Sequence, residues 1–405
     1  QRLSIQDLSD AGHQPMISKS KNLVLELNGE IYNHLELRAL FDSSYLWRGT
    51  SDTETLVALV EKFGIDKTLS YIDGMFVIAI WDLLNNKLTL IRDRFGEKPL
   101  YYFDKNYHFV FASELKALME TPWISRDIDF DSMSNYFQHS FVKGSNSIFK
   151  NIKKLLPGEK LSITFKNKKI KKEKAFYWSS KDNINISKKN AFSGSFQDAS
   201  IEIENMLRSS IKKQLIADVP VGIFLSGGVD SSLITLIAQQ ESHQKIKTFN
   251  VGFKSKEYDE SKTAAGLAQE IGTDHKSIIF DANDALSLVS KLPSIYDEPF
   301  ADAAQMPTII LSKIAKESVS VILSGDGGDE LFGGYTRYIS GPTIFNIVNR
   351  LPMSLRILAE KIIKVLPVNQ IDNFMKLIIP FLGNNPSFFQ FSRKLFALSN
   401  LLNSS

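Results

Sequence analysis

Short apolar runs separated by turns fill the first part of the chain: LVLEL at 23–27, MFVIAIWD at 75–82, KLTLIRD at 87–93 and HFVFAS at 108–113. Runs of this length, rich in β-branched and aromatic residues, predict strands. One helix is predicted after Ser51, where Ser51 or Asp52 caps the segment TETLVALVEKF, whose apolar residues recur at three- and four-residue spacing. Strands in succession, with helices set apart, predict an α+β domain over residues 1–155.

The pattern turns polar and Ser/Asn-rich at 183–197 (NINISKKNAFSGSFQ), which predicts a linker within a connecting segment 156–200. From 201 onward helical segments alternate with near-continuous apolar strands: VGIFL, KTFNVGF, KSIIF and VSVIL. That alternation predicts an α/β domain over 201–405, built on a doubly wound parallel sheet. After Gly341 the chain reads as mostly helical.

A length of 405 residues fits two or three domains, and 43% hydrophobic with 23% charged residues is an ordinary globular composition. The 48 basic residues nearly balance 45 acidic ones, so no nucleic-acid or membrane footprint is visible. The basic run KNKKIKKEK at 166–174 follows the strand-like LSITF and reads as the solvated turn of a hairpin. No apolar stretch is long enough to span a bilayer and no signal peptide opens the chain, so the cytoplasm is expected. Cysteine is absent, which removes disulfides, thiolate metal sites and thiol nucleophiles from the residues present. Because the chain opens on Gln1 inside a strand-like stretch, it is expected to be a fragment with residues upstream.

Ligands of open parallel sheets bind beyond the carboxyl ends of the strands. There the apolar strand ending at Leu225 runs into Ser226-Gly227-Gly228-Val229-Asp230-Ser231-Ser232 and then a helix. Two glycines and a helix N-terminus make an anion site, yet the loop lacks the Lys of a GxxxxGK[ST] loop and the GxGxxG spacing. A Gly-Gly turn with Asp230 and Ser231 capping the helix is the simpler reading. A second loop, Ser324-Gly325-Asp326-Gly327-Gly328-Asp329-Glu330, crowds three acidic groups among glycines, an arrangement that a cation or hydrogen-bonding ligand would relieve. Val251 and Gly252 close another strand where an adenine or ribose could rest, or where a strand simply ends. Asp297-Glu298-Pro299-Phe300-Ala301-Asp302 reads equally well as a solvated acidic turn.

SGGxDS after an apolar strand resembles the loop of the ATP-pyrophosphatases, and IFLSGGVDSS, YDES, DEPFADAAQMP and LSGDGGDELFGGY in this order resemble the synthetase domain of B-type asparagine synthetases. The resemblance implies ATP as substrate, cleaved between its α- and β-phosphates with Mg²⁺. Aspartate would be activated as β-aspartyl-AMP with loss of pyrophosphate, and ammonia would displace AMP. It implies ATP binding by Leu225, Ser226, Gly227, Gly228, Asp230, Ser231, Val251, Ser324 and Gly325, metal binding by Asp230 and Asp329, and a role for Asp326 in forming the adenylate. Many members carry Glu where Asp326 stands.

RLS at 2–4, AGHQPM, NGEIYN at 28–33, Ser51-Asp52 and RDRFGEKPLYY at 92–102 resemble the class II glutamine amidotransferase domain of the same enzymes, an αββα sandwich of the N-terminal nucleophile hydrolase type. Singly, Arg2 is as readily a surface arginine, NGE a hairpin turn and Asp52 a helix cap. The resemblance implies a glutamine pocket of Arg2, Leu3, Ser4, Asn28, Gly29, Glu30 and Asp52. In it Arg2 pairs the α-carboxylate, Glu30 and Asp52 hold the α-amino group, and Asn28 with the Gly29 N–H forms the oxyanion hole. The family's nucleophile is an N-terminal Cys, and its C-terminal helical, Lys-bearing part is unmatched before Ser405. Partners implied are aspartate, glutamine and ATP, without nucleic acid or membrane, and a homodimer is left open. Related ligases acting on another carboxylate, as in β-lactam synthetases, and a non-catalytic nucleotide-binding relative remain alternatives.

Overall fold

The computed structural model describes residues 4–365 apart from 106–107, 167–168 and 255–258. The chain divides into two units, Gln1–Gly325 and Asp326–Ser405.

The first unit opens with β1 (Met16–Ile17), β2 (Leu23–Ile31), α1 (His34–Arg38), α2 (Asp52–Phe63), α3 (Ile65–Tyr71), β3 (Gly74–Asp82) and β4 (Lys87–Arg92). It continues through β5 (Tyr101–Lys105), β6 (His108–Ala112), α4 (Leu115–Met119), α5 (Phe130–His139), β7 (Ile152–Lys154), β8 (Glu159–Lys166) and β9 (Lys169–Phe176). Two sheets result, one of six strands in the order β1-β2-β3-β4-β8-β9 and one of three in the order β6-β5-β7.

Period-2 alternation sorts β3 between two cores. Phe76, Ile78 and Ile80 face a cluster with Leu56, Leu59 and Leu69 from the helices α2 and α3, whereas Val77 faces Leu100, Tyr102 and Leu161 between the sheets. A third cluster, with Phe103, Leu115, Leu118 and Ile152, covers the far face of the small sheet with α4 and α5. The layers are therefore helix, sheet, sheet, helix, the αββα sandwich that the resemblance implied. The large sheet runs past residue 155, because β8 pairs with β4 from Lys87↔Thr164 to Ile91↔Lys160 and β9 forms the edge beyond it. The basic run belongs to this hairpin, with Lys171, Lys172 and Lys174 of β9 exposed.

The polar segment is not all linker. Helix α6 (Ser180–Lys189), capped by Ser179, carries no buried residue, and α7 (Phe196–Gln214) starts at a capping box of Ser195 and Asp198.

β10 (Val221–Phe224), α8 (Val229–Glu241), β11 (Lys247–Phe253), α9 (Ser261–Ile271), β12 (Asp274–Phe280), α10 (Ala282–Val289), α11 (Leu292–Ile295), α12 (Gln305–Ala315) and β13 (Val321–Leu323) follow. Their sheet is all parallel in the order β12-β11-β10-β13, so successive strands move outward from β10 in one direction before the chain crosses back to place β13 on its other side. The switch point between β10 and β13 is where such a sheet opens a crevice. In the second unit α13 (Gly328–Phe332), α14 (Thr336–Arg350) and α15 (Met353–Val365) bear out the helical reading of the chain after Gly341 as far as residue 365.

Candidate active site

At the carboxyl end of β10 the chain turns through Ser226–Gly228 and enters α8, whose N-cap is Gly228. The loop is a dense set of donors. Ser226 N–H donates to Ser231 Oγ at 3.1 Å, the two hydroxyls lie 2.7 Å apart, and Gly228 N–H reaches Ser226 Oγ at 3.2 Å. Gly227 N–H donates to the Glu260 carboxylate at 3.1 Å, so one loop amide already holds an anionic oxygen. Glu260 lies in the YDES segment, and its contact with Gly227 could not be read from the sequence, 33 positions away.

β13 ends at Leu323, and the loop after it meets the first one. A Cβ on Gly325 would stand 3.1 Å from the Ser231 nitrogen and 3.2 Å from Asp230 Cβ, a tight contact that shows how closely the two loops approach. Leu225, Ser226, Gly227, Gly228, Asp230, Ser231, Ser324 and Gly325 are thus gathered at the switch point. Val251 sits on the neighbouring strand, its side chain packed against the cluster of Phe249, Leu311 and Val319. Asp326 and Asp329 belong to the second unit. There Gly327 and Gly333 bracket α13 with φ of 90° and 72°, and Gly334 lies so close to the Asp329 carboxylate that a Cβ would overlap Oδ1.

In the αββα half, NGE is strand and not a hairpin turn: β2 pairs with β3 through Asn28↔Val77, Gly29↔Phe76 and Glu30↔Met75. Gly29 is required there, since a Cβ would sit 2.0 Å from the Met75 carbonyl oxygen. Alternation turns Asn28 away from the helix-covered face that holds Leu27 and Ile31, and its Nδ2 donates to Ser113 Oγ at 2.8 Å, just after β6. Ser113 fixes the plane of the Asn28 amide, a contribution the sequence did not reveal. Ser51 does cap α2, and Asp52 is buried beside it. Asp52 Oδ2 accepts the Ile31 N–H at 2.9 Å, which ties it to the strand carrying Glu30. Ser4 is half-buried, while Arg2 and Leu3 lie outside the described residues.

The loop carrying Ser51 and Asp52 is braced from three sides. Arg38 donates to the carbonyls of Gly49 and Ser51 and to Thr55 Oγ1, and Glu54 accepts the N–H groups of Arg48 and Gly49. Asp7 Oδ2 accepts the N–H groups of Thr50 and Ser51 at 2.8 and 3.2 Å. Burial acts to raise the Asp7 carboxyl, but hydrogen bonds from Ser9, Thr50 and Ser51 outweigh it and hold the group below its ordinary range. The turn at RDRFGEKP is organised likewise by Asp93, fully buried, which accepts the N–H groups of Phe76, Phe95, Glu97 and Lys98.

Residues 1–178 match the family described as a glutamine amidotransferase domain, and residues 202–378 match asparagine synthase. A Methanocaldococcus jannaschii protein assigned by name to the glutamine-hydrolysing asparagine synthetases is 34% identical over 93% of this chain and 74% of its own length. Asparagine synthetase [glutamine-hydrolyzing] 1 and 2 of Bacillus subtilis are 33% and 35% identical over 90% and 84% of the chain. The chain spans 56% and 46% of those two relatives, about half their length. With both domain families in sequence and this likeness running through nearly all of it, the chain belongs to the glutamine-hydrolysing asparagine synthetase family.

Proposed function

We propose that the full-length protein is an ATP-dependent ligase that makes asparagine from aspartate with nitrogen released from glutamine. The observation that carries this reading is the meeting of Gly325 with Asp230 and Ser231 at the switch point of the parallel sheet. It supports a phosphate site at the Ser226–Ser231 loop, where N–H and O–H donors converge and Gly227 already accommodates a carboxylate.

In this reading the loop donors hold the β- and γ-phosphates while the aspartate β-carboxylate attacks the α-phosphorus. Pyrophosphate leaves and β-aspartyl-AMP forms. Ammonia then attacks the acyl carbon, and AMP departs as asparagine forms. Such chemistry depends on position and charge neutralisation more than on a protein nucleophile. Mg²⁺ would neutralise the phosphates. Such a cation keeps several waters and would be held by substrate phosphates with one or two carboxylates. Asp230 is assigned as one; Asp329 as a ligand and Asp326 in adenylate formation rest on the sequence motif.

For glutamine, Arg2 pairs the α-carboxylate, Glu30 and Asp52 hold the α-amino group, and Asn28 with the Gly29 N–H receives the oxyanion. The Asn28 donor set by Ser113 favours the tetrahedral intermediate over the neutral amide, which is what accelerates the step. The test is product analysis of the full-length protein with ATP, aspartate and glutamine. AMP, pyrophosphate and asparagine are expected. ADP and phosphate would overturn the ATP chemistry, faster pyrophosphate release with another carboxylate would overturn the acceptor, and no nucleotide turnover would leave a binding protein.

A further inference from the structure

The Asp297–Asp302 loop carries three carboxylates that the chemistry above does not use. Two of them do not face water. Asp297 and Glu298 side chains are 12% and 13% exposed and point at the αββα half. Glu298 Oε2 accepts Lys154 Nζ at 2.7 Å and Tyr101 Oη at 3.4 Å, and its Oε1 accepts the Ile148 N–H at 2.8 Å. Asp297 pairs with Lys116 at 3.4 Å, and Ala301 N–H donates to the Ser140 carbonyl at 2.9 Å. The solvated-turn reading of this loop is therefore replaced by a docking contact.

Both ends of that contact lead toward a site. The loop precedes α12, which packs on β11 and delivers the chain to the start of β13. The loop consequently lies at the carboxyl edge of the parallel sheet, the edge from which the Ser226–Ser231 loop emerges. On the other side, Tyr101 and Lys154 are cross-strand partners of β5 and β7, and Tyr101 pairs on its other flank with Ala112 of β6. The next residue is Ser113, which orients Asn28. An ion pair with both partners largely desolvated is no gain in stability on its own account, since water is lost from two charges. Its placement across two cross-strand partners, two residues from the Asn28 support, gives it a different use.

We propose that Glu298 is a positioning residue, gripping Tyr101 and Lys154 so that the synthetase half sets the geometry of the glutamine half. The inference rests on the reading that the two halves catalyse consecutive steps. It predicts that loosening the grip penalises glutamine as nitrogen source and spares free ammonium, which bypasses the glutamine half.

The experiment uses the full-length protein and measures ATP-dependent pyrophosphate release and amide formation with ammonium chloride or glutamine, for the parent, Glu298→Gln, Lys154→Met and Lys154→Arg. Glutamine-supported turnover is expected to fall about tenfold in Glu298→Gln and Lys154→Met, a coupling of the usual size, with ammonium-supported turnover within about twofold of the parent. Lys154→Arg keeps the charge and is expected to retain both. A loss that is equal for the two nitrogen sources would make the pair merely structural and overturn the inference, as would an unchanged ratio. A parent that releases no pyrophosphate with either source would overturn the functional reading and this inference together. A parent active on an acceptor other than aspartate changes only that assignment, and the ratio still decides the role of Glu298.

Discussion

Asn28 owes its orientation to a single hydroxyl from another sheet, so its usefulness as a donor can be tested without touching it. Ser113→Ala is expected to lower kcat for glutamine hydrolysis roughly tenfold, less than deletion of an oxyanion donor itself, with KM and ammonium-supported synthesis little changed. Steady-state kinetics with the two nitrogen sources check this. His34 offers a test of stability. It is 1% exposed, and neither ring nitrogen has a hydrogen-bond partner among the described residues. Burial, and then the nearby Arg38 charge, push its pKa from 6.5 down to about 4. The unfolded chain binds the proton first, so His34 contributes fully above pH 6.5 and the contribution is lost as pH falls toward 4. The loss amounts to at most about 3 kcal/mol. Urea unfolding between pH 7 and 4 should show a shallower acid slope for His34→Leu than for the parent. NGE, Asp52 and SGGVDS could be picked out of the sequence as candidates because each combines an unusual polarity with a strand or helix boundary. Ser113 was not, because its partner lies 85 positions away and a lone serine after a strand carries no local signal.

Strand pairing puts its own demands on β2 and β3, whose backbones approach at Gly29↔Phe76 and Ile31↔Gly74. A Cβ on Gly74 would lie 2.0 Å from the Glu30 carbonyl oxygen. Gly74→Ala is therefore expected to cost roughly 2–3 kcal/mol, at the upper end of overpacking penalties, and to disturb the register that presents Glu30. Thermal unfolding together with glutamine affinity measures both effects. Elements with strong periodicity could be read from the sequence almost to their ends: α2, β3, β4, β10 and β11 each pair a clear apolar face with capping or turn residues. Helix α6 was hidden because it buries nothing, so it has no apolar stripe to announce it. The edge of the first sheet was set too early because the lysines of β9 look like loop until the alternate residues of β8, Leu161 and Ile163, are seen in the inter-sheet core. The Asp297–Asp302 loop was legible as acidic but not as docked, since the lysines it meets come from elements far back in the chain.

The two halves of the first unit also meet at a second seam. Asp218 Oδ2 accepts the Asp7 N–H at 2.8 Å, Asp218 N–H donates to the Ile5 carbonyl, and Gln6 Nε2 donates to the Ile216 carbonyl. Asp7 in turn carries the Thr50–Ser51 backbone, so Asp218 supports the Asp52 loop from outside its own domain. Asp218→Ala is expected to destabilise this unit by about 1 kcal/mol, the scale of one net hydrogen bond. Hydrogen exchange should quicken at residues 5–8 and 50–52 while that of β10 and β11 holds. The strand β9 matters at the same scale for a different reason. It is the outermost strand of the six-stranded sheet, and Lys171, Lys172 and Lys174 stand exposed along it. An open strand edge is a template for a neighbouring molecule, and charged side chains along it blunt that pairing, here lysines each beside a carboxylate, Glu173, Asp104 or Glu159. Lysines in this place are expected to discourage pairing of the edge with a second molecule. Replacing those three by threonine should leave the enzyme's chemistry alone and lower the concentration at which it stays dispersed, with light scattering rising over hours at low salt.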